Sequence, residues 1–102
     1  MDLKPTDALT MEEIAALPKR APPSYHWTLA QAQTQDPGFV LQGVHKLREF
    51  GGDWFARVDH NGVEKSSSLW RDSNGNICAS FTGLRNMHIA TVGVILRAAP
   101  AG

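Results

Sequence analysis

A single cysteine, Cys78, leaves the 102-residue chain nothing to form an internal disulfide with, and it rules out every metal motif built on paired cysteines. That absence predicts a reducing, cytoplasmic setting. Net charge of either sign is also missing: ten Lys and Arg offset ten Asp and Glu, so no strong field draws the chain toward phosphates or anionic lipid. Long apolar runs are absent too. The richest stretch, 87–96, falls far short of the roughly 20 residues a membrane-spanning helix needs, and the opening ten residues carry Asp2, Lys4 and Asp7 where a secretory leader would be apolar. No membrane role is expected.

What is present matches a folded domain. The hydrophobic share is 42% and the charged share 20%, enough apolar surface to offset the entropy of ordering. Two domains of half this length would each be too small for a self-sufficient core. The expectation is one domain over 1–102, with residues 1–25 as an arm that is only loosely attached. The charge is slightly uneven. Residues 1–36 hold three basic and five acidic groups, a balance of minus two, and residues 37–102 hold seven and five, a balance of plus two.

Helix signals lie in the first third. Thr10 with Glu13, and Thr28 with Gln31, have the spacing of capping boxes, in which a hydroxyl and a carboxyl or amide oxygen each satisfy an orphan amide at a helix start. They predict helices over 11–17 and 29–35, the first stopped by Pro18, with Trp27 stapled onto the second near Ala32. Between them, 18–23 contains three prolines and reads as an extended connector. A third helix is predicted over 39–50, capped by Asp36 and started by Pro37. Val40, Val44 and Leu47 share its face, and Gly51 and Gly52 stop it. A strand from 39 to 49 is the competing reading.

From Asp53 the period becomes two. Trp54, Ala56 and Val58 alternate with Phe55, Arg57 and Asp59, then Asn61-Gly62 supplies a pair that readily adopts positive φ. Strands are expected over 53–60, 63–70 and 77–81, with a second turn at 72–76. A further β-branched stretch over 87–97 is read as strand with helix as the alternative. The fold class is therefore α+β: short N-terminal helices packed on an antiparallel sheet, a meander from about 53 to 97.

Catalytic and metal signals are thin. The stretch 72–76 resembles a calcium loop, but counting from Asp72 the sixth position is Ile77 and the twelfth Gly83, where glycine and a carboxylate are required. His26, His45, His60 and His88 never occur three to five residues apart, so no helix face offers two zinc ligands; His60, at a hairpin tip, reads as a solvated turn residue. No metal and no cofactor are expected. Cys78 with a histidine brought near by folding is the one nucleophile this composition permits, and burial as a small hydrophobe is the simpler account. Ser66, Ser67 and Ser68 lack the glycines of a nucleophile elbow and read as a polar strand face.

The binding candidates are Trp54 and Trp70, placed on neighbouring strands so that they share a sheet face, with Arg57 and Arg71 beside them. Packed under the helices they form core; exposed, they would make a stacking platform for single-stranded nucleic acid. The expected role is a non-enzymatic adaptor, inhibitor or regulatory subunit with a protein partner, and an open sheet edge predicts a homodimer. The first alternative is a winged-helix-like nucleic-acid regulator, with the third helix in the groove and Lys46 and Arg48 on its outer side. The second is a small enzyme assembled around Cys78.

Overall fold

The computed structural model describes residues 3–4, 6, 9–21, 25–47, 53–84 and 87–98, with the side chains of 3, 4, 47 and 87–90 outside that description. Among these residues eight strands and two helices follow in the order β1 (Leu3–Lys4), α1 (Met11–Ala15), β2 (His26–Thr28), α2 (Leu29–Gln35), β3 (Phe39–Leu47), β4 (Asp53–His60), β5 (Val63–Ser68), β6 (Trp70–Arg71), β7 (Ile77–Leu84) and β8 (Met87–Arg97). In the coarse sense this is α+β. Two four-stranded sheets take the place of the single meander: sheet A in the order β1-β3-β4-β5 and sheet B in the order β2-β8-β7-β6.

Both capping boxes are closed. Thr10 N donates to Glu13 Oε1 at 2.9 Å and Glu13 N to Thr10 Oγ1 at 3.1 Å; Thr28 and Gln31 make the same pair of bonds at 2.9 and 3.1 Å. The α-helical part of α1 stops at Ala15, two residues short of the expected end. Beyond Ala16, Pro18 O accepts from Arg71 N and Arg20 N donates to Arg71 O. The connector thus runs alongside β6 in a parallel bridge from Lys19 to Arg71.

The predicted third helix is a strand. Over 39–47 the chain pairs antiparallel with β4, from Phe39 opposite His60 to Leu47 opposite Asp53. A bulge between Leu41 and Gly43 shifts the register by one residue. Phe39 and Leu41 therefore face the core before it and Val44 after it, while Val40 is exposed. The bulge makes apolar positions three apart face one way, which in the sequence imitates a helical period. The glycines expected to end that helix, Gly51 and Gly52, lie outside the described residues.

The meander breaks at Leu69. The hairpin turn Asn61-Gly62 has φ of 54° and 84° and returns the chain along β4 until Leu69 N donates to Trp54 O at 2.9 Å. The next two residues, β6, pair with β7 in the other sheet. The side of β5 away from β4 faces the open edge of β7, and side chains join the two. Ser80 N donates to Ser67 Oγ at 3.1 Å, and Lys65 Nζ donates to Thr82 O at 3.0 Å. The serines expected as a solvated strand face thus include one that caps a free amide of the opposite sheet.

The core lies between the sheets. Sheet A contributes Phe39, Val44, Trp54, Ala56 and Val58; sheet B contributes Trp27, Ile77, Ala79, Phe81, Val92, Val94 and Leu96. Ala32 of α2 is fully buried among them, and Ile14 of α1 is partly buried against them. The stretch expected as a loose arm also supplies core residues, Leu9 and Leu17, and its Thr6 and Leu9 carbonyls accept from Arg97 Nη1. Among the described residues no helix is long and apolar enough to cross a membrane.

Candidate functional site

Alternation along β4 turns Trp54 inward and Arg57 outward. Trp54 is buried in the core cluster, while Arg57 lies half-buried on the outer face of sheet A and pairs with the Glu64 carboxylate on β5. Trp70 sits in the other sheet, opposite Cys78, and is also buried. The two tryptophans therefore share no sheet face. The expected pairing of their strands is corrected: they belong to different sheets because the chain crosses at Leu69, and both rings are buried, as in the packed reading, and form no exposed platform with Arg57 and Arg71.

Among the described residues a cleft opens on each side of α1. The first, about 330 Å³, lies between α1, the segment 16–20 and the ends of β3, β4 and β5. Trp54 and Leu69 line its apolar part, and the exposed Glu12, Arg20, Lys46 and Asp53 line its polar part. The second, about 230 Å³, lies between α1 and the ends of β7 and β8, lined by Met11, Ile14, Ala15 and Ile77 together with Arg71 and Arg97. Trp54 thus belongs to the first cleft and Arg71 to the second, whereas Arg57 and Trp70 line neither. Arg97 was not singled out in the sequence. Its one legible signal was a basic residue at the end of a β-branched strand.

No known protein family, curated protein or solved structure matches the chain.

His60 is not a solvated turn residue. It is buried, its Nε2 lies 2.7 Å from Asp36 Oδ2, and its Nδ1 lies 2.9 Å from Lys65 Nζ. An ammonium only donates, so Nδ1 is the acceptor and Nε2 carries the proton toward Asp36. The Asp36 carboxylate closes this chain at the end of α2 and does not cap a following helix. The three side chains tie the α2–β3 junction to the β4–β5 hairpin, and Lys65 carries the link on to β7 through Thr82 O.

His45 stacks on Phe55 with ring centroids 6.1 Å apart on the outer face of sheet A. Burial, reinforced by the Arg57 guanidinium, holds its imidazole below the ordinary 6.5. At the 72–76 turn, burial pushes the Asp72 carboxyl up, but hydrogen bonds from the Asn76 side chain and from the Asn76 and Asn74 amides outweigh it and hold the group below 3.8. Both groups bind fewer protons folded than unfolded, so both contribute stability above their ordinary values and lose it as pH falls. Urea midpoints should therefore drop in two steps on acidification. The step below about pH 6.5 should vanish in His45→Gln and the step below about pH 4 in Asp72→Asn.

Burial, and next the Asp72 carboxylate, push the Cys78 thiol up to about 12. The Sγ lies 4.0 Å from Asp72 Oδ2 and 3.8 Å from Asn76 O, and these acceptors hold a protonated thiol. A nucleophilic thiolate needs a positive neighbour, and here the nearest charge is negative. At pH 8 the native chain should react with a disulfide reagent about a thousandfold more slowly than the urea-unfolded chain, judged on the thiolate fraction alone. Labelling at the unfolded rate would contradict this burial.

Proposed function

We propose that this chain is a non-enzymatic, cytoplasmic binding module that grips a protein partner around α1. The observation that carries the reading is the exposure of α1 between its two clefts. Met11 is 68% exposed, apolar walls open on one side of it, and charges of both signs edge the other. An exposed apolar anchor set in a polar surround is the composition of a protein contact. A winged-helix role loses its premise, because the segment meant to enter the groove is β3. A role built on Cys78 loses its nucleophile to burial.

Self-association has its own support. Over 39–43 the outer edge of β3 has no strand partner among the described residues, since β1 reaches only Val44 and His45, and Val40 is exposed there. Light scattering on the purified chain reports that state directly.

The test of the main reading uses the chain as bait in native extract, followed by reconstitution with the purified partner it retains. Met11→Glu, a surface change on α1, should weaken that complex more than tenfold. A wild-type chain that retains nothing, or a complex indifferent to Met11→Glu, would remove the proposal.

A further inference from the structure

The register of sheet B puts three residues in one row at the end of the second cleft: Arg71 on β6 opposite Ile77 on β7, and Ile77 opposite Arg97 on β8. A bulge between Ile77 and Cys78 brings Arg97 opposite Ile77 in place of Leu96; all three residues line this cleft, and adjacent strands lie about 4.8 Å apart, so the arginines flank the isoleucine on strands about 10 Å from each other. Ile77 is buried beneath them, and Ile14 and Met11 of α1 close the opposite wall.

Both guanidiniums are anchored by main-chain oxygens. Arg71 Nε donates to Leu17 O at 3.3 Å, and Arg97 Nη1 donates to Thr6 O at 3.1 Å and Leu9 O at 3.5 Å. These bonds hold the planes in place and, among the described residues, occupy at most two of the five N–H groups of each guanidinium. Neither arginine has a carboxylate partner among the described residues, where the ion pairs are Arg57–Glu64 and His60–Asp36. Two fixed guanidiniums, neither paired with a carboxylate among the described residues, stand above an apolar floor and are complementary to a carboxylate that carries an apolar group.

We propose that this cleft receives the C-terminal carboxylate of a partner polypeptide, with its last, aliphatic side chain against Ile77 and Ile14. The inference rests on the reading of the chain as a protein-binding module and names the chemistry of the partner's end. The size agrees. At about 230 Å³ the cleft is smaller than the roughly 300–1,000 Å³ of pockets that enclose a whole small molecule, and it is open to solvent so that a chain can leave it. Phosphate would match the arginines but leave the apolar walls unfilled. Terminal carboxylates are a recurring means of peptide capture.

The probes are the peptide acetyl-Gly-Ala-Val-Leu with a free C-terminus, its C-terminal amide, and 4-methylpentanoate, each titrated into the isotope-labelled full chain. The free acid should shift the amide resonances of Gly75, Ile77 and Ala98 saturably and bind at least tenfold more tightly than the amide. Arg71→Gln should weaken the acid at least fivefold and leave the amide unchanged. Ala98→Glu, an exposed change at the cleft wall that removes no anchoring bond, should abolish acid binding even if Arg71→Gln fails to fold. Equal binding of acid and amide, or shifts confined to other residues, would overturn the proposal. Binding of 4-methylpentanoate as tight as that of the peptide would assign the cleft to small fatty acids and overturn the polypeptide source. A native complex that survives Ala98→Glu refutes this inference while leaving the module intact, whereas peptide binding without any native complex does the reverse.

Discussion

Phe39→Ala is expected to destabilise the chain by about 3–5 kcal/mol, the range for removing a fully buried phenylalanine. The ring has no exposed surface and stands edge-on to Phe81 of the opposite sheet, with centroids 5.3 Å apart, and to His60, at 6.3 Å. It therefore joins the two sheets and lies against the buried polar chain at the same time. A domain of this size has a total stability of about 5–15 kcal/mol, so the variant should be near the limit of folding at 25 °C. Urea unfolding followed by tryptophan fluorescence measures it, with a slope of about 1–3 kcal/mol per molar urea. The neighbouring Val40→Ala should cost less than about 1 kcal/mol, since Val40 is 47% exposed. This contrast separates strand from helix. A helix with Val40, Val44 and Leu47 on its buried face would make Val40 the costly position.

Asp36→Ala is expected to cost about 3–5 kcal/mol, the range for removing one partner from a buried charge-bearing pair. The loss is large because of what remains. His60 Nε2–H would be left buried without its acceptor at 2.7 Å, and the Lys65 ammonium would lose the nearby negative charge at the end of the chain it helps to form. Asp36→Asn keeps an oxygen in the same place and should recover much of the loss, since the amide oxygen still accepts from His60. Equilibrium unfolding of the two variants gives the comparison. If Asp36→Ala and Asp36→Asn proved equally mild, the Asp36–His60–Lys65 chain would be a surface contact and not a tie between the hairpin and the α2–β3 junction.

Features decided by neighbours in sequence were legible in advance. The capping boxes at Thr10 and Thr28 are three-residue devices, and both helices start where those residues stand. Asn61-Gly62 makes its turn through its own tolerance of positive φ, and the alternation of Trp54, Ala56 and Val58 marks the inner face of β4. The strand at 39–47 was misread because its bulge changes the apolar phase in mid-strand, and three-residue spacing is a helical signature in any one-dimensional pattern. The residues singled out as binding candidates are scattered by the fold. Trp54 and Arg71 do line the clefts, but Arg57 answers Glu64 across a strand, Trp70 is buried against β7, and Arg97 becomes relevant only through the row it shares with Arg71.

Composition and local spacing by themselves determined that this chain could bury a core without disulfides, where both helices start, where its tight hairpin turn lies and which side of β4 faces inward, because each depends on atoms within a few bonds. The tertiary structure alone decided that the strands divide into two sheets at Leu69, that His60 is locked between Asp36 and Lys65, and that Arg71 and Arg97 flank Ile77. Those outcomes join residues from 5 to 67 positions apart, and which partners meet is chosen by the burial free energy of the whole core, a sum that no local stretch of sequence contains.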